Sequence, residues 1–540
     1  MCGNGRFPRS GRPASYSDAV QLFDYTLSYV EGVSPPDPTG HQVFRNDWST
    51  LEPPEPGSWE PGPTVTVVIT VRNDQERLDR ILACLSRQTY PGHLMEVVVV
   101  DDHSATPLRL PETRPARCRI EPAPPDGSGP AHARAHGARV GTGEVLCWLD
   151  VDLLVDAALV ETLVRWQHVH PAAVALGDVR YATETDLAPD RAAALVADRA
   201  LHRSLVDAPP HPRTERLLSR SGDLRDADSQ GFRAFVGSCV TMSRELYEAA
   251  GGVNPTLSLG HDTELGYRLW QAGGVFVPDR AARVWHLGSA TANRTRVPGP
   301  RSYALADLVP YARPTHRTRR LPENRVPMVR AVVDAAHHPY ELVRACVDRL
   351  LASTEVDLEV VLVADWDTTA DSWLETRLVQ AHYLAEPRVG FVAEAPRTAF
   401  PAPFLLQVPV NCGVGPHTVA RMVERAEWAR AGLVELVRDT PGPTLWRTRA
   451  LARVLGTGRA EEAPAEADLA EADLAEAVAA VHGRYRMHGE ADTVDLSGVA
   501  ALDGTAPRRR GRLAVLAVWR ILTSVLRCGI GTVRRRLRVR

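Results

Sequence analysis

Lysine is absent from this chain of 540 residues: all 63 basic residues are arginine, the composition expected of a GC-rich bacterial genome. CxxC pairs are absent too. The eight cysteines stand singly, several inside apolar runs where a free thiol acts as a small hydrophobe, which favours a reducing compartment. The opening stretch MCGNGRFPRSGRPASY lacks an apolar core, so no secretory signal is expected, and Cys2 is not expected to be a lipoprotein site. Residues 506–540 hold eleven arginines and no acid; against a whole-chain net charge of −3, this leaves the rest of the chain at −14. A basic tail on an acidic body argues against a nucleic-acid partner, which calls for basic charge spread over a folded face. The tail fits an anionic membrane surface better.

What is present is an ordinary soluble composition, 44% apolar and 24% charged, which excludes wholesale disorder. The length corresponds to about three or four domain-sized units. Residues 1–60 read as a partly irregular leader with one helix around Tyr16–Val30. From residue 65 the pattern becomes VTVVIT (65–70), a helix over 76–88, MEVVVVDD (95–102), GEVLCWLD (143–150) and a further helix through DAALVETLVRW. Buried strands alternating with amphipathic helices predict an α/β fold with a parallel sheet, whose ligands bind at the strands' carboxyl ends. After a Pro/Arg-rich connector the pattern returns at 326–367 and again at 404–425, which predicts a duplicated domain. EEAPAEADLAEADLAEAVAAV (461–481) predicts a helix.

Two constellations carry chemistry. Asp150 and Asp152 end a buried strand, and alternate residues of a strand share a face, so both carboxylates converge beyond the sheet. They repel unless a cation such as Mg²⁺ or Mn²⁺ sits between them. The bland alternative is a strand-ending turn with solvated acids. In SLGHDTELGYRLWQAGG (258–274), Asp262 and Glu264 open an amphipathic helix, where the helix dipole favours acids. The glycine-rich stretch 235–255 precedes it, and RVWHLG (283–288) follows.

Five ordered blocks over about residues 63–290 resemble family 2 glycosyltransferases of the GT-A type: VVITVRND, VVVVDDHS, GPAHARAHGARVGTGEVLCWLDVD, SRELYEAAGGVN and GHDTELGYRLWQAG. The resemblance implies a GT-A (Rossmann-like nucleotide-diphospho-sugar transferase) domain at 61–295 and inverting transfer from a nucleotide-sugar donor, commonly UDP-linked. The acceptor would be a hydroxyl of a glycan, lipid-linked or secondary-metabolite molecule. It implies Thr70, Asn73, Asp101, Asp102, Arg134 and Asp150 on the donor side. Asp152, Asp150 and His286 would be metal ligands for Mn²⁺ or Mg²⁺, and Asp262 the catalytic base. Gly237, His261, Glu264 and Arg268 would support the acceptor side. The chain departs from the family pattern at Thr70-Val71-Arg72, at Ala135 and at His261.

Beyond a linker at 296–325, the segment 326–490 is expected to be a degenerate GT-A-like copy. Pro409-Val410-Asn411 stands for Asp150-Val151-Asp152, Ala335 and Ala336 stand for Asn73 and Asp74, and the counterpart of Asp262 falls near Ala472; only Asp365 keeps an acid, matching Asp102. Scaffold, acceptor platform and homo-oligomer surface are the roles expected for it. The tail, 491–540, predicts a basic amphipathic helix lying on the inner face of the bacterial plasma membrane, with the protein otherwise cytoplasmic. A nucleotidyltransferase of similar fold and a non-catalytic sugar- or lipid-binding scaffold are the alternatives. The first would want a glycine-rich Lys/Arg signature after the first strand, and VRNDQERL has none.

Overall fold

The computed structural model describes residues 43–182, 187–205, 209–287, 304–313, 325–367, 373–456, 471–488 and 493–499. The helix expected at Tyr16–Val30, most of the linker and the tail 506–540 lie outside the described residues.

The first domain is built on strands whose apolar runs are buried on both faces, as helix-covered parallel strands must be. In chain order its elements are β1 (Val65–Val71), α1 (Gln75–Leu85), β2 (Met95–Asp101), β3 (Cys118–Pro122), α2 (Pro130–Val140), β4 (Val145–Asp150), β5 (Leu153–Val155), α3 (Leu159–Val169) and β6 (Ala173–Ala182). There follow α4 (Pro189–Ala197), α5 (Leu201–Ser204), α6 (Pro212–Arg220), β7 (Cys239–Ser243), α7 (Arg244–Ala249), α8 (His261–Gln271) and β8 (Val275–Leu287). The Asp74 carboxylate caps α1 by accepting from the Arg77 N–H at 3.2 Å, and Leu78, Ile81, Leu82 and Leu85 bury the helix against the sheet. On the opposite face α2 lies so flat that a Cβ at Gly137 would stand 2.4 Å from Val68 Cγ1.

The sheet order is β3-β2-β1-β4-β7-β6-β8-β5. Strands β3, β2, β1 and β4 are mutually parallel, as expected, but β7 is antiparallel to both β4 and β6, so the sheet is mixed. The reason is the route: the chain enters β7 from the carboxyl edge, through residues 235–238, rather than by a helical crossover. That entry carries backbone across the end of β4, where the ligand site lies.

The second domain comprises β9 (Val329–Asp334), β10 (Leu358–Val363), β11 (Val389–Val392), β12 (Phe404–Gln407), β13 (Cys412–Val414), β14 (Leu433–Val437), β15 (Thr444–Arg447), β16 (Arg484–His488) and β17 (Thr493–Asp495). Its sheet, β11-β10-β9-β12-β15-β14-β16, matches the first through β8 in order and direction; β13 and β17 pair separately and antiparallel, as β5 pairs with the end of β8. Val65 faces Met95 and Val145 just as Val329 faces Leu358 and Phe404. This register sets Asp150-Val151-Asp152 against Pro409-Val410-Asn411. It also sets Asn73 against His337, not Ala335, a two-residue correction supported by matching left-handed backbones (φ 56° and 59°). Helix Glu471–His482 precedes β16 as α8 precedes β8. No counterpart of α2 exists: residues 393–403 hold no helix, and the Pro401 carbonyl instead accepts from the Tyr267 hydroxyl of α8 at 2.5 Å.

The described end of the leader, with only a single 3-10 turn at Trp48–Thr50, is held in place by hydrogen bonds. Asn46, 1% exposed, accepts from the Phe276 N–H (3.0 Å) and from Arg449 Nη2 (2.8 Å) and donates to the Phe276 carbonyl (2.9 Å), while the Arg45 N–H donates to Val481 O at 2.8 Å. The segment thus wedges between the two domains. A short amide-bearing side chain can satisfy both neighbours there, which composition alone does not reveal.

Candidate active site

The site assembles at the carboxyl ends of β1 and β4. Asp150 is the last residue of β4, and its N–H donates to Ser238 O at 3.0 Å. The chain then turns, and β5 pairs antiparallel with the end of β8, setting Leu153 opposite His286. Asp152 Oδ2 consequently lies 3.3 Å from His286 Nε2. One ligand atom from each of Asp150, Asp152 and His286 fits within 4.8 Å of the others. Asp152 Oδ1 is buried with no hydrogen-bond partner among the described residues. Burial pushes the Asp150 and Asp152 carboxyls above their ordinary range, opposed at Asp150 by Arg134 and at Asp152 by His286. An orphaned oxygen in a set of hard oxygen and imidazole donors is what a divalent cation satisfies, so these three residues can hold a metal.

Arg134, on α2 and 4% exposed, joins this cluster to α8. It donates to Asp150 Oδ1 at 2.6 Å, Asp262 Oδ1 at 2.8 Å and Gly237 O at 2.8 Å. Its guanidinium carbon lies 5.1 Å from the centroid of the fully buried Trp148 ring, a desolvated stacking position. Although burial disfavours its charge, Asp262 and Asp150 hold the guanidinium firmly protonated. Arg134, expected on the donor side, thus stands between the two carboxylates. Gly237 is glycine for a spatial reason: a Cβ there would stand 2.4 Å from Asp262 Oδ1 and 2.6 Å from Arg134 Nη1. Asp262 sits in the first turn of α8, behind Gly260 at φ 81°, with His261 Nε2 at 3.2 Å from Asp262 Oδ1.

The other expected site residues fall into two groups. Along β1 and β2, Thr70 pairs with Asp150 across the sheet. Asn73 Oδ1 accepts from Ala105 N–H at 2.7 Å, Asp101 Oδ1 from Ser104 N–H at 2.9 Å, and both Asp102 oxygens from Gly129 N–H at 2.9 and 3.0 Å. These side chains shape the loops beside the site. Glu264 and Arg268 point elsewhere: they form a bidentate pair at 2.5 and 2.7 Å, and Arg268 also bonds Ala250 O, tying α8 to the end of α7.

Glycosyl transferase family 2, by its sequence profile, matches residues 66–249. The matched segment, about a third of the chain, is similar to glycosyltransferase family 2. The chain is 31% identical over 245 residues to a pre-mycofactocin glycosyltransferase of Mycobacterium tuberculosis, covering 44% of this chain and 46% of that protein. A hyaluronan synthase of Pasteurella multocida is 24% identical over 360 residues, covering 61% of this chain and 35% of the synthase. The chain thus spans about half or less of the length of these relatives. A mannosyltransferase of Pyrobaculum calidifontis, solved with GDP-Man and Mn²⁺, superposes over 48% of this chain and 64% of its own, at a TM-score of 0.30 and 17% identity.

Sequence reasoning missed two neighbours of this site. The Tyr181 ring stands 5.2 Å from that of His286, and burial, with Asp150 and Asp152 adding to it, pushes its hydroxyl pKa up. Arg77, bonded to Asp74 at 3.1 Å, lies close enough to Asp152 to oppose the rise in that carboxyl's pKa. Arg77 was discoverable as the cation in the first turn after β1, at the ligand edge. Tyr181 carries no such signal, because β6 follows no fixed spacing from β4.

Proposed function

We propose that the chain is an inverting, metal-dependent glycosyltransferase acting on a nucleotide-sugar donor. The observation that carries this reading is the bridge through Arg134: one guanidinium holds both Asp150, one of the three candidate metal ligands, and Asp262, at the head of α8. When bound, Mn²⁺ or Mg²⁺ would neutralise charge on the leaving diphosphate. Asp262 takes the proton of an acceptor hydroxyl as its oxygen attacks the anomeric carbon. The bond from that carbon to the diphosphate oxygen breaks, and the nucleoside diphosphate leaves with the electron pair. His261 and Arg134 fix the Asp262 carboxylate, and the shape of Gly237 keeps the three together. Loop residues Asn73, Asp101 and Asp102 shape the nucleotide side.

The relatives named above support glycosyl transfer as the reaction class. The second domain, with Pro409 and Asn411 in place of Asp150 and Asp152 and with no α2, is proposed as a scaffold that does no chemistry. A panel of nucleotide sugars, assayed for release of nucleoside diphosphate with and without Mn²⁺, tests both statements. Chelation or Asp152→Asn is expected to lower release at least about 100-fold. Turnover that survives both would sink the metal role, and residual Mn²⁺-dependent turnover in Asp152→Asn would sink the silent second domain.

Among the described residues no helix is long and apolar enough to cross a membrane. The basic tail nevertheless supports a lipid-linked acceptor reached from an anionic membrane surface. Deleting residues 506–540 is expected to move the protein from the membrane to the soluble fraction and to depress transfer to lipid acceptors more than to water-soluble ones. Equal activity on both after deletion would refute the tail's role.

A further inference from the structure

Between the two domains lies a small cavity of about 20 Å³, lined by four arginines (Arg45, Arg430, Arg447 and Arg449) and His482 against two acids, Asp228 and Glu427. Most of these charges are already matched. Glu427 accepts from Arg447 (3.1 Å), Tyr311 (3.0 Å) and Ser229 (2.6 Å), and Arg430 pairs with Asp226. Arg449 is not matched. It is 1% exposed, and its Nη2 donates only to neutral acceptors: Asn46 Oδ1 (2.8 Å), Gly274 O (3.0 Å) and Arg45 O (3.2 Å). Its Nε and Nη1 have no partner among the described residues, and neither has Nδ1 of His482, 6% exposed. The guanidinium carbon lies 3.3 Å from the centroid of the Trp270 ring of α8.

A buried cation without a carboxylate is expensive, several kcal/mol even after relaxation. Stacking on an aromatic face returns only about 2 kcal/mol. Burial drives the Arg449 pKa well down, and Arg453 and Arg447 press it further. We infer that the cavity is a binding site for a small oxyanion of phosphate size, held by the free Arg449 nitrogens with Arg430 at its rim. Positive excess and unpartnered donors meet in one place, and the cavity sits under the C-terminal turn of α8. The site stands whether or not Asp262 acts as a base.

Thermal melts of the full-length, EDTA-treated protein in sodium phosphate, against sodium chloride at matched ionic strength, test this. In phosphate the wild type is expected to gain about 3 °C, saturably. Arg449→Met is expected to lose the gain and to melt no lower than the anion-free wild type, because removing an uncompensated cation removes its desolvation cost. Should Arg449→Met not fold, Arg430→Gln decides: its phosphate midpoint is expected to rise at least about threefold, and an unchanged midpoint overturns the site. An equal gain in chloride, or a full gain in Arg449→Met, overturns it as well.

Discussion

Asp262→Asn is expected to lower transfer about 10²- to 10⁴-fold, the usual contribution of a positioned general base. The asparagine keeps the shape and can still accept from Arg134, which stands 2.8 Å away, but it cannot hold the acceptor's proton. The loss should fall on kcat. Donor KM should change little, because the metal ligands Asp150, Asp152 and His286 are untouched. Steady-state kinetics with varied donor and varied acceptor separate the two. A variant with normal kcat, or one whose whole defect lies in donor KM, would remove Asp262 from the chemistry and leave it a positioning residue.

Arg134→Met should do more damage than any other single change, and most of it to the fold. Removing one member of a buried charge network strands the others, typically at 3–5 kcal/mol. Here two carboxylates, Asp150 and Asp262, lose the cation they share, so denaturant unfolding should fall by about that amount. Stability should also become pH-dependent with a definite sign. The Asp150 carboxyl is already raised by burial, with Arg134 opposing the rise. Without Arg134 the folded-state pKa climbs further above the unfolded value of about 3.9. The folded state then binds more protons between the two values, so stability is retained at low pH and lost as pH rises through the folded pKa. The deficit should be smaller at pH 5 than at pH 8, and Mn²⁺ should recover part of it by compensating Asp150. A deficit independent of pH would mean that Arg134 acts through packing on Trp148 rather than through charge.

The parts of the site that could be read in the sequence are those whose spacing is local. Asp150 and Asp152 stand out because two acids interrupt an apolar strand. Asp262 stands out because it opens a helix behind a glycine-rich approach. The bridge between them was not legible: Arg134, Gly237 and Asp262 come from three separated elements, and only the folded sheet brings them within hydrogen-bonding distance. The repeated strand order was visible in β9, β10 and β12, whose apolar runs follow the order of β1, β2 and β4. The turn after β9 slipped by two residues because the true match, Asn73 with His337, is a match of backbone conformation, and a left-handed histidine carries no mark in the sequence. The antiparallel β7 escaped notice because strand direction depends on which edge the chain enters from, and periodicity does not record that.

The absence of a helix like α2 from the second domain bears on how charge is balanced at the edge of each sheet. In the first domain two acids and one guanidinium form a closed electrostatic circuit: remove the arginine and the acids become a burden, remove the acids and the arginine does. Such a group is tolerable whole or wholly absent, and costly in part. The second domain has neither half: residues 393–403 hold no helix, and Pro409 and Asn411 stand where the register sets the two acids. Neutral side chains leave no charge to compensate there, and residues 393–403 rest through Pro401 on Tyr267 of the neighbouring α8.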